Sequence, residues 1–236
     1  MEEAKKQELF TNVKEFFREE IIAPHINKAC KKIQKLKEFQ VNPFLVKYLA
    51  CFLEGNLESE SIAKALIYPR ILGTSITTSF GSKVQKMIST LFEGYGSAVS
   101  GIDIEFIDAI DGRKKYCQLK AGPNTINKDD VKTVCDHFDA VKNLSRTNNL
   151  NIGLNDLIVG VLYGEDTDLS SHYEKIKKNY PVYIGQEFWK RLTGDENFYI
   201  ELTNAIGEVA IEVDGRATLE KTIKALATEI EKKPLL

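Results

Sequence analysis

Zinc proteins, thiol redox proteins and enzymes with an imidazole base carry clustered cysteine or histidine, and this chain has little of either. Its four cysteines, Cys30, Cys51, Cys117 and Cys135, are scattered and form no CxxC pair. They read as reduced thiols rather than a disulfide frame or a zinc site. Its three histidines, His25, His137 and His172, lie far apart, which supports neither a His-based metal site nor a Ser-His-Asp triad. No apolar run approaches the ~20 residues needed to span a bilayer. The opening MEEAKKQELF is charged and lacks the apolar centre of a secretory signal. Both absences point to a cytoplasmic protein. An excess of one charge is also missing. The net charge of −2 is not the basic balance of a protein that coats nucleic acid. It remains compatible with a metal-binding acidic site in a locally basic cleft. Internal repeats and low-complexity tracts are absent.

What is present suffices for a folded domain of ordinary kind. Of 236 residues, 43% are hydrophobic, enough for a large core. Residues 2–38 lack glycine and carry Leu9, Val13, Phe16 and Phe17 at helical spacing. Pro24 interrupts them, and Ile26, Cys30, Ile33, Leu36 and Phe39 form a second apolar series that Asn42-Pro43 ends. Helices are expected at Phe44–Leu53, at 59–72 with Ser59 or Ser61 as cap, and at 82–92, with a polar loop at 73–81 and a flexible connector at 93–101. The apolar period then changes from 3.6 to 2. Strands are expected at 102–108, 114–120, 156–163 and 181–184. A helix at about 128–144 separates the second strand from the third, and helices at about 186–193, 196–206 and 217–232 close the chain. This order predicts an α/β fold: a mixed central sheet flanked by helices, with a helical N-terminal region. The division expected is 1–58 for that region and 59–236 for the sheet domain.

The segment 101–120 carries the chemistry. Asp111-Gly112 between two alternating strands is a hairpin signal. As a two-residue loop it sets Ile110 opposite Arg113, Glu105 opposite Gln118 and Asp103 opposite Lys120. Alternation then collects Asp103, Glu105, Gln118 and Lys120 on one face, with Ile102, Ile104, Phe106, Cys117 and Leu119 on the other. Acid, amide and amine gathered this way suit phosphodiester hydrolysis. Mg²⁺ takes oxygen ligands and usually only one or two carboxylates: Asp103 as direct ligand, the Gln118 amide oxygen, and the carbonyl that follows it. Lys120 orients the attacking water and offsets charge on phosphorus. The plainer alternative is a cross-strand acid–lysine pairing on a solvated face, to which Glu105 is best suited.

Asp103 followed by Gln118-Leu119-Lys120 resembles the PD-(D/E)xK nuclease superfamily, an Asp on one strand and acid-x-Lys on the next, with Gln118 standing where the second acid is usual. Val41-Asn-Pro-Phe44, Gln118-Leu-Lys-Ala-Gly122 with Thr125-Ile126, Ile158-Val-Gly-Val-Leu-Tyr-Gly164 and Val182-Tyr-Ile-Gly-Gln-Glu-Phe-Trp189 occur in this order. Together they resemble type II restriction endonucleases of the PmeII/TdeIII kind, which cut GGNCC-like sites. The resemblance implies a PD-(D/E)xK core, Mg²⁺ (with Mn²⁺ as a substitute), double-stranded DNA as substrate, a homodimer acting on a palindrome, and a cognate DNA methyltransferase that protects the host. It implies Asp103, Gln118 and Lys120 as catalytic, with Asp103 and Gln118 holding the metal. The superfamily often adds an acid from a preceding helix; here that helix offers Gln85, with Glu93 at its end, and Gln85 and Glu105 are the expected supporting residues.

The loop 121–127 offers Asn124, Thr125 and Asn127 to the DNA backbone, with Lys128 and Lys132 behind it. Its alternative is a plain strand-to-helix loop with Asn127 as N-cap. Tyr183, Phe188 and Trp189 read as packing. The N-terminal helices carry two apolar series, more than one core stripe needs, and are the expected dimer surface. Two other readings compete: a structure-selective or repair nuclease with the same site, and a DNA-binding module whose nuclease site has decayed, suggested by Gln118 and Gln85.

Overall fold

A computed structural model describes residues 3–91, 96–97, 99–147 and 151–233, apart from the side chains at 28, 29, 31, 74, 75 and 77–79. In chain order the elements are α1 (Glu3–Phe16), two π-helical stretches on either side of Pro24, α2 (Cys30–Lys32), α3 (Pro43–Glu54), α4 (Ser59–Ile71) and α5 (Thr74–Leu91). Then follow β1 (Ile104–Ile107), β2 (Lys114–Lys120), α6 (Lys128–Thr147), β3 (Leu157–Val161), α7 (Ser171–Lys177) and β4 (Val182–Ile184). Helices α8 (Gly185–Thr193), α9 (Phe198–Val213) and α10 (Arg216–Lys232) complete the order. The α/β class and the mixed sheet between helices are as the sequence predicts.

Several segments differ from expectation, among them α7, which has no counterpart in the sequence reading, and α9, which runs on to Val213. The stretch 73–81 is not a loop: α5 begins at Thr74. Serine and threonine disguise it, but Ile76, Phe80, Val84, Met87 and Leu91 recur every three or four residues, a helical stripe. Helix α4 starts after Glu58, which gives no side-chain cap. Ser61 instead donates to Asn56 Oδ1 at 2.6 Å. Asn42 does cap α3, its Oδ1 accepting from Phe44 N and Leu45 N, with Pro43 at the first helical position.

The chain divides into two compact units. The first comprises residues up to Val13 and Gly81–Ala205, and holds the sheet. Strand order is β1-β2-β3-β4; β1 is antiparallel to β2, and β2, β3 and β4 run parallel. Helices cover both faces of the parallel part of the sheet, and β3 is buried along its whole length. One face packs Tyr116, Leu157, Val159 and Val161 against Val134, Phe138 and Val141 of α6 and against Tyr173 and Ile176 of α7. The other receives α8. Gly160 lies so close to Phe188 that a Cβ there would sit 2.3 Å from its ring, which excludes any larger residue. Trp189 donates from Nε1 to Leu162 O at 2.9 Å and stacks on Phe198. These burials bear out the packing role of Phe188 and Trp189, while Tyr183 carries the Arg191 guanidinium 4.0 Å over its ring.

The second unit, Lys14–Phe80 with Ile206–Leu236, is helical. Its core joins Val46 and Ala50 of α3, Ala63, Leu66 and Ile67 of α4, and Ile223, Leu226 and Ile230 of α10.

Candidate functional site

The site forms where β1 stops and β2 continues. Antiparallel pairing matches Ile104 with Cys117, Glu105 with Tyr116 and Phe106 with Lys115. The register is therefore displaced by two residues from a two-residue Asp111-Gly112 loop. The reason lies in Asp108. Its Oδ1 accepts from Ile110 N at 2.8 Å, its carbonyl accepts from Gly112 N at 2.8 Å, and its N–H donates to Arg113 O at 2.9 Å. That turn is longer than Asp-Gly alone suggests, with Gly112 at φ +69°. A displacement of two preserves parity, so Asp103, Glu105, Gln118 and Lys120 still share a face. Asp103 now lies level with Gln118, and Glu105 lies opposite Tyr116, one pair nearer the turn. Glu105, half-buried, accepts from Ser97 Oγ at 2.5 Å and pairs with Lys114 at 2.6 Å, contacts that lie away from Gln118.

Beyond Ile104, β2 has lost its β1 neighbour on one edge while β3 still pairs with the other, and side chains take over the open edge. Asp103 N donates to Cys117 O at 3.0 Å, as a strand residue would. One step on, Leu119 N donates to Asp103 Oδ2 at 2.7 Å. Leu119 O accepts from Gln85 Nε2 of α5 at 3.0 Å. The peptide edge at Leu119 is thus held by one carboxylate and one amide. Asp103 is exposed and Lys120 half-buried; the Lys120 ammonium has no ion-pair partner among the described residues. Gln118 is 3% exposed, lying under α6 with Nε2 directed at Val134 O, 3.4 Å away. Glu93 lies outside the described residues.

Asp103 offers a carboxylate, Gln118 an amide oxygen and Leu119 a backbone carbonyl, all oxygen donors. No group of three or more His, Cys, Asp or Glu side chains that could hold a metal occurs among the described residues. This choice of donors is not that of a zinc-thiolate or zinc-imidazole site. It fits a hard dication that takes few carboxylates and keeps much of its water.

The loop after β2 is tied internally. Thr125 Oγ1 donates to Gly122 O at 2.8 Å, Tyr173 OH donates to the same carbonyl at 2.9 Å, and Ser170 N donates to Pro123 O at 3.1 Å. Burial pushes the Tyr173 hydroxyl up to about 12. Asn127 is the N-cap of α6: its Oδ1 accepts from Asp129 N and Asp130 N, and Asp130 returns a bond to Asn127 N. Asn124, Thr125, Lys128 and Lys132 are exposed beside it.

A family model described as type II restriction endonuclease EcoO109I matches residues 11–214. The chain belongs to this family of type II restriction endonucleases. A search of curated proteins found no match. As a restriction endonuclease the chain is a DNA nuclease, a hydrolase of a restriction system. The matched span takes in the whole sheet and every candidate residue from Gln85 to Lys132. No helix among the described residues is long and apolar enough to cross a membrane.

At the turn end of the hairpin sits a charge network that the sequence reading missed. Lys115, fully buried, donates to Asp111 Oδ2 at 2.6 Å and Asn155 O at 3.1 Å and lies 3.4 Å from Asp156 Oδ1. Arg113 grips Asp156 through both Nε and Nη2, and buried Asp108 pairs with Arg191 at 2.8 Å. A signal was present: alternation puts Lys115 on the apolar face with Cys117 and Leu119, where a lone lysine needs buried acids.

Proposed function

We propose that this endonuclease hydrolyses both strands of duplex DNA at a short palindromic sequence, with Asp103, Gln118 and Lys120 as its catalytic residues and Mg²⁺ as cofactor, for which Mn²⁺ can substitute. The observation that carries this reading is the Asp103 carboxylate fixed on Leu119 N–H at the open end of β2, beside Lys120, which has no ion-pair partner among the described residues. Asp103, the Gln118 amide oxygen and Leu119 O are the atoms to hold the cation. Gln85 supports the set by aligning the Leu119 carbonyl. When bound, the cation supplies Lewis acidity and lowers the pKa of a ligated water. Lys120 Nζ orients the attacking water and bears against the phosphate oxygens as charge develops. Asn124 and Thr125 of the loop, with Lys128 and Lys132 of α6, are assigned to backbone phosphates, which fix position on the duplex rather than sequence. Asn127 contributes as the cap that starts α6 beside them.

The finer parts of this reading follow from the resemblance of the quoted motifs to the PmeII/TdeIII kind: a GGNCC-like site, a homodimer with residues 1–58 as its dimerising region and 59–236 as the nuclease domain, and a cognate methyltransferase. The test is cleavage of unmethylated phage DNA by the wild type, by Lys120→Ala, and by the wild type with EDTA. Discrete bands are expected for the wild type with Mg²⁺, with a loss of roughly 100-fold or more in the variant. End sequencing of the products gives the site. A smear would favour a structure-selective nuclease. Intact DNA with both Mg²⁺ and Mn²⁺, but a retained gel shift, would leave a binding module.

A further inference from the structure

Tyr163 follows β3 by two residues and differs from the other tyrosines packed near the sheet. Tyr173 and Tyr180 are buried, and their hydroxyls donate to Gly122 O and Asp139 Oδ1. Tyr163 is 52% exposed, and its hydroxyl has no hydrogen-bond partner among the described residues. Its mounting is nonetheless firm. The Leu162 N–H donates to Lys120 O at 3.0 Å, and the Leu162 carbonyl accepts from Trp189 Nε1 at 2.9 Å. Directly after Tyr163 the chain turns at Gly164, φ +106°, a conformation that favours glycine. The β2–β3 register pairs Gln118 with Val159 and Lys120 with Val161. Alternation carries that row on to Gly122 and Tyr163, so Tyr163 shares the face of Gln118 and Lys120, one step beyond the lysine. The phenol tip lies against Gly122: a Cβ there would sit 2.4 Å from Tyr163 Oη and 2.5 Å from its Cζ. Same-face residues of a strand are about 6.5 Å apart, so the hydroxyl stands about one such step from the Lys120 backbone.

We propose that Tyr163 is a DNA-contacting residue whose hydroxyl donates to a phosphate oxygen of the strand being cut, beside the phosphate that Lys120 faces. The ligand rests on the proposed function; the position of the hydroxyl does not. The contact comes from β3 and adds to those assigned to the loop after β2 and to α6. Three observations favour it. Packing against Gly122 uses the ring and leaves the hydroxyl unused. The Gly122 carbonyl already accepts from Thr125 Oγ1 and Tyr173 OH, so the Tyr163 O–H is left to donate outward. The hydroxyl end of the ring is the part set in the row of Lys120, which suits a phosphate acceptor, whereas stacking on a base would use a ring face. Tyrosine hydroxyls are among the usual donors to DNA phosphates, and such contacts fix position without reading sequence.

The test is Tyr163→Phe in the full chain, which keeps the ring and deletes the hydroxyl. Binding is followed by fluorescence anisotropy without divalent ions, over a series of salt concentrations, on two labelled duplexes: one from phage DNA that the wild type cuts with Mg²⁺, and one of unrelated sequence. The dissociation constant is expected to rise roughly 10-fold on both. The slope of log Kd against log salt should match the wild type's, because a neutral donor displaces no counterion. The melting temperature should not move, since no bond within the protein is lost. An unchanged Kd, a loss confined to the duplex that is cut, a changed salt slope or a lowered melting temperature would each overturn the inference. Cleavage with Mg²⁺ is scored on the same samples. A wild type that cuts while Tyr163→Phe binds as tightly refutes the Tyr163 contact alone. A wild type that binds but does not cut refutes the catalytic reading alone, the contact then being judged on the unrelated duplex. A wild type that neither binds nor cuts refutes both.

Discussion

Gln118 is where the chain departs from the acid-x-lysine pattern, and its surroundings give the departure physical content. The side chain is buried under α6, with its amide N–H₂ facing Val134 O. Gln118→Glu removes that donor and directs a carboxylate at a carbonyl in a dry site. Burial penalises the charged form, and an unmet buried acceptor costs about 1–3 kcal/mol. Without divalent ions, Gln118→Glu is expected to melt roughly 2–12 °C below the wild type, given about 2–4 °C per kcal/mol for a chain of this size. Millimolar Mn²⁺ should raise the variant's melting temperature more than the wild type's, because a bound cation stabilises the fold it binds and the added carboxylate strengthens its seat. Equal shifts in the two proteins would mean that position 118 does not face the ion.

The hairpin, the loop after it and α7 act together as elements. Tyr173 crosses from α7 to hold the Gly122 carbonyl, and through it the loop that presents Asn124 and Thr125. Tyr173→Phe keeps the ring and deletes the bond, at a stability loss of about 1 kcal/mol. On the proposed function, DNA affinity should fall several-fold with the single-turnover cleavage rate nearly unchanged, since Asp103 and Lys120 are set by β1 and β2. A lowered rate at saturating enzyme would move this loop from binding into the chemistry. The same elements mark how far the sequence could be read. Strand β2 and the start of α6 fall where alternation and the Asn127 cap put them. The hairpin register did not, because Asp-Gly signals a two-residue loop and says nothing of the Asp108 side chain that lengthens it. The burial of Gln118 escaped for a different reason: alternation on one strand cannot tell that β3 lies alongside and that α6 covers that face. Helix α7 is too short for its apolar period to stand out. The placement of Asp103, Gln118 and Lys120 on one face survived the change of partners, because a two-residue displacement leaves each side chain on its face.

At the scale of the molecule, the two ends of β2 do opposite work. One end exposes a carboxylate and a lysine. The other holds charges that fasten the hairpin to the entry of β3: exposed Arg113 in the turn, buried Lys115 on β2 and buried Asp156 before β3. The Arg113 guanidinium, with the Gly153 N–H and the Lys115 charge, brings the Asp156 carboxyl from the usual 3.8 to about 2. A carboxyl whose pKa is lower in the folded than in the unfolded chain adds stability above the unfolded value and loses it as pH falls through the folded one. The window here runs from about pH 4 to about pH 2, and a shift of this size corresponds to about 2 kcal/mol. Asp156→Asn forfeits that contribution at every pH. Urea denaturation should therefore find the variant less stable than the wild type at pH 7, with the gap narrowing by about 2 kcal/mol toward pH 2. Asn also leaves Arg113 without its bidentate partner, a loss that does not titrate in this range and persists at both ends. A gap that stays constant between pH 7 and pH 2 would show that Asp156 contributes through shape and hydrogen bonding alone, and that the acid unfolding of this nuclease is governed by other carboxylates.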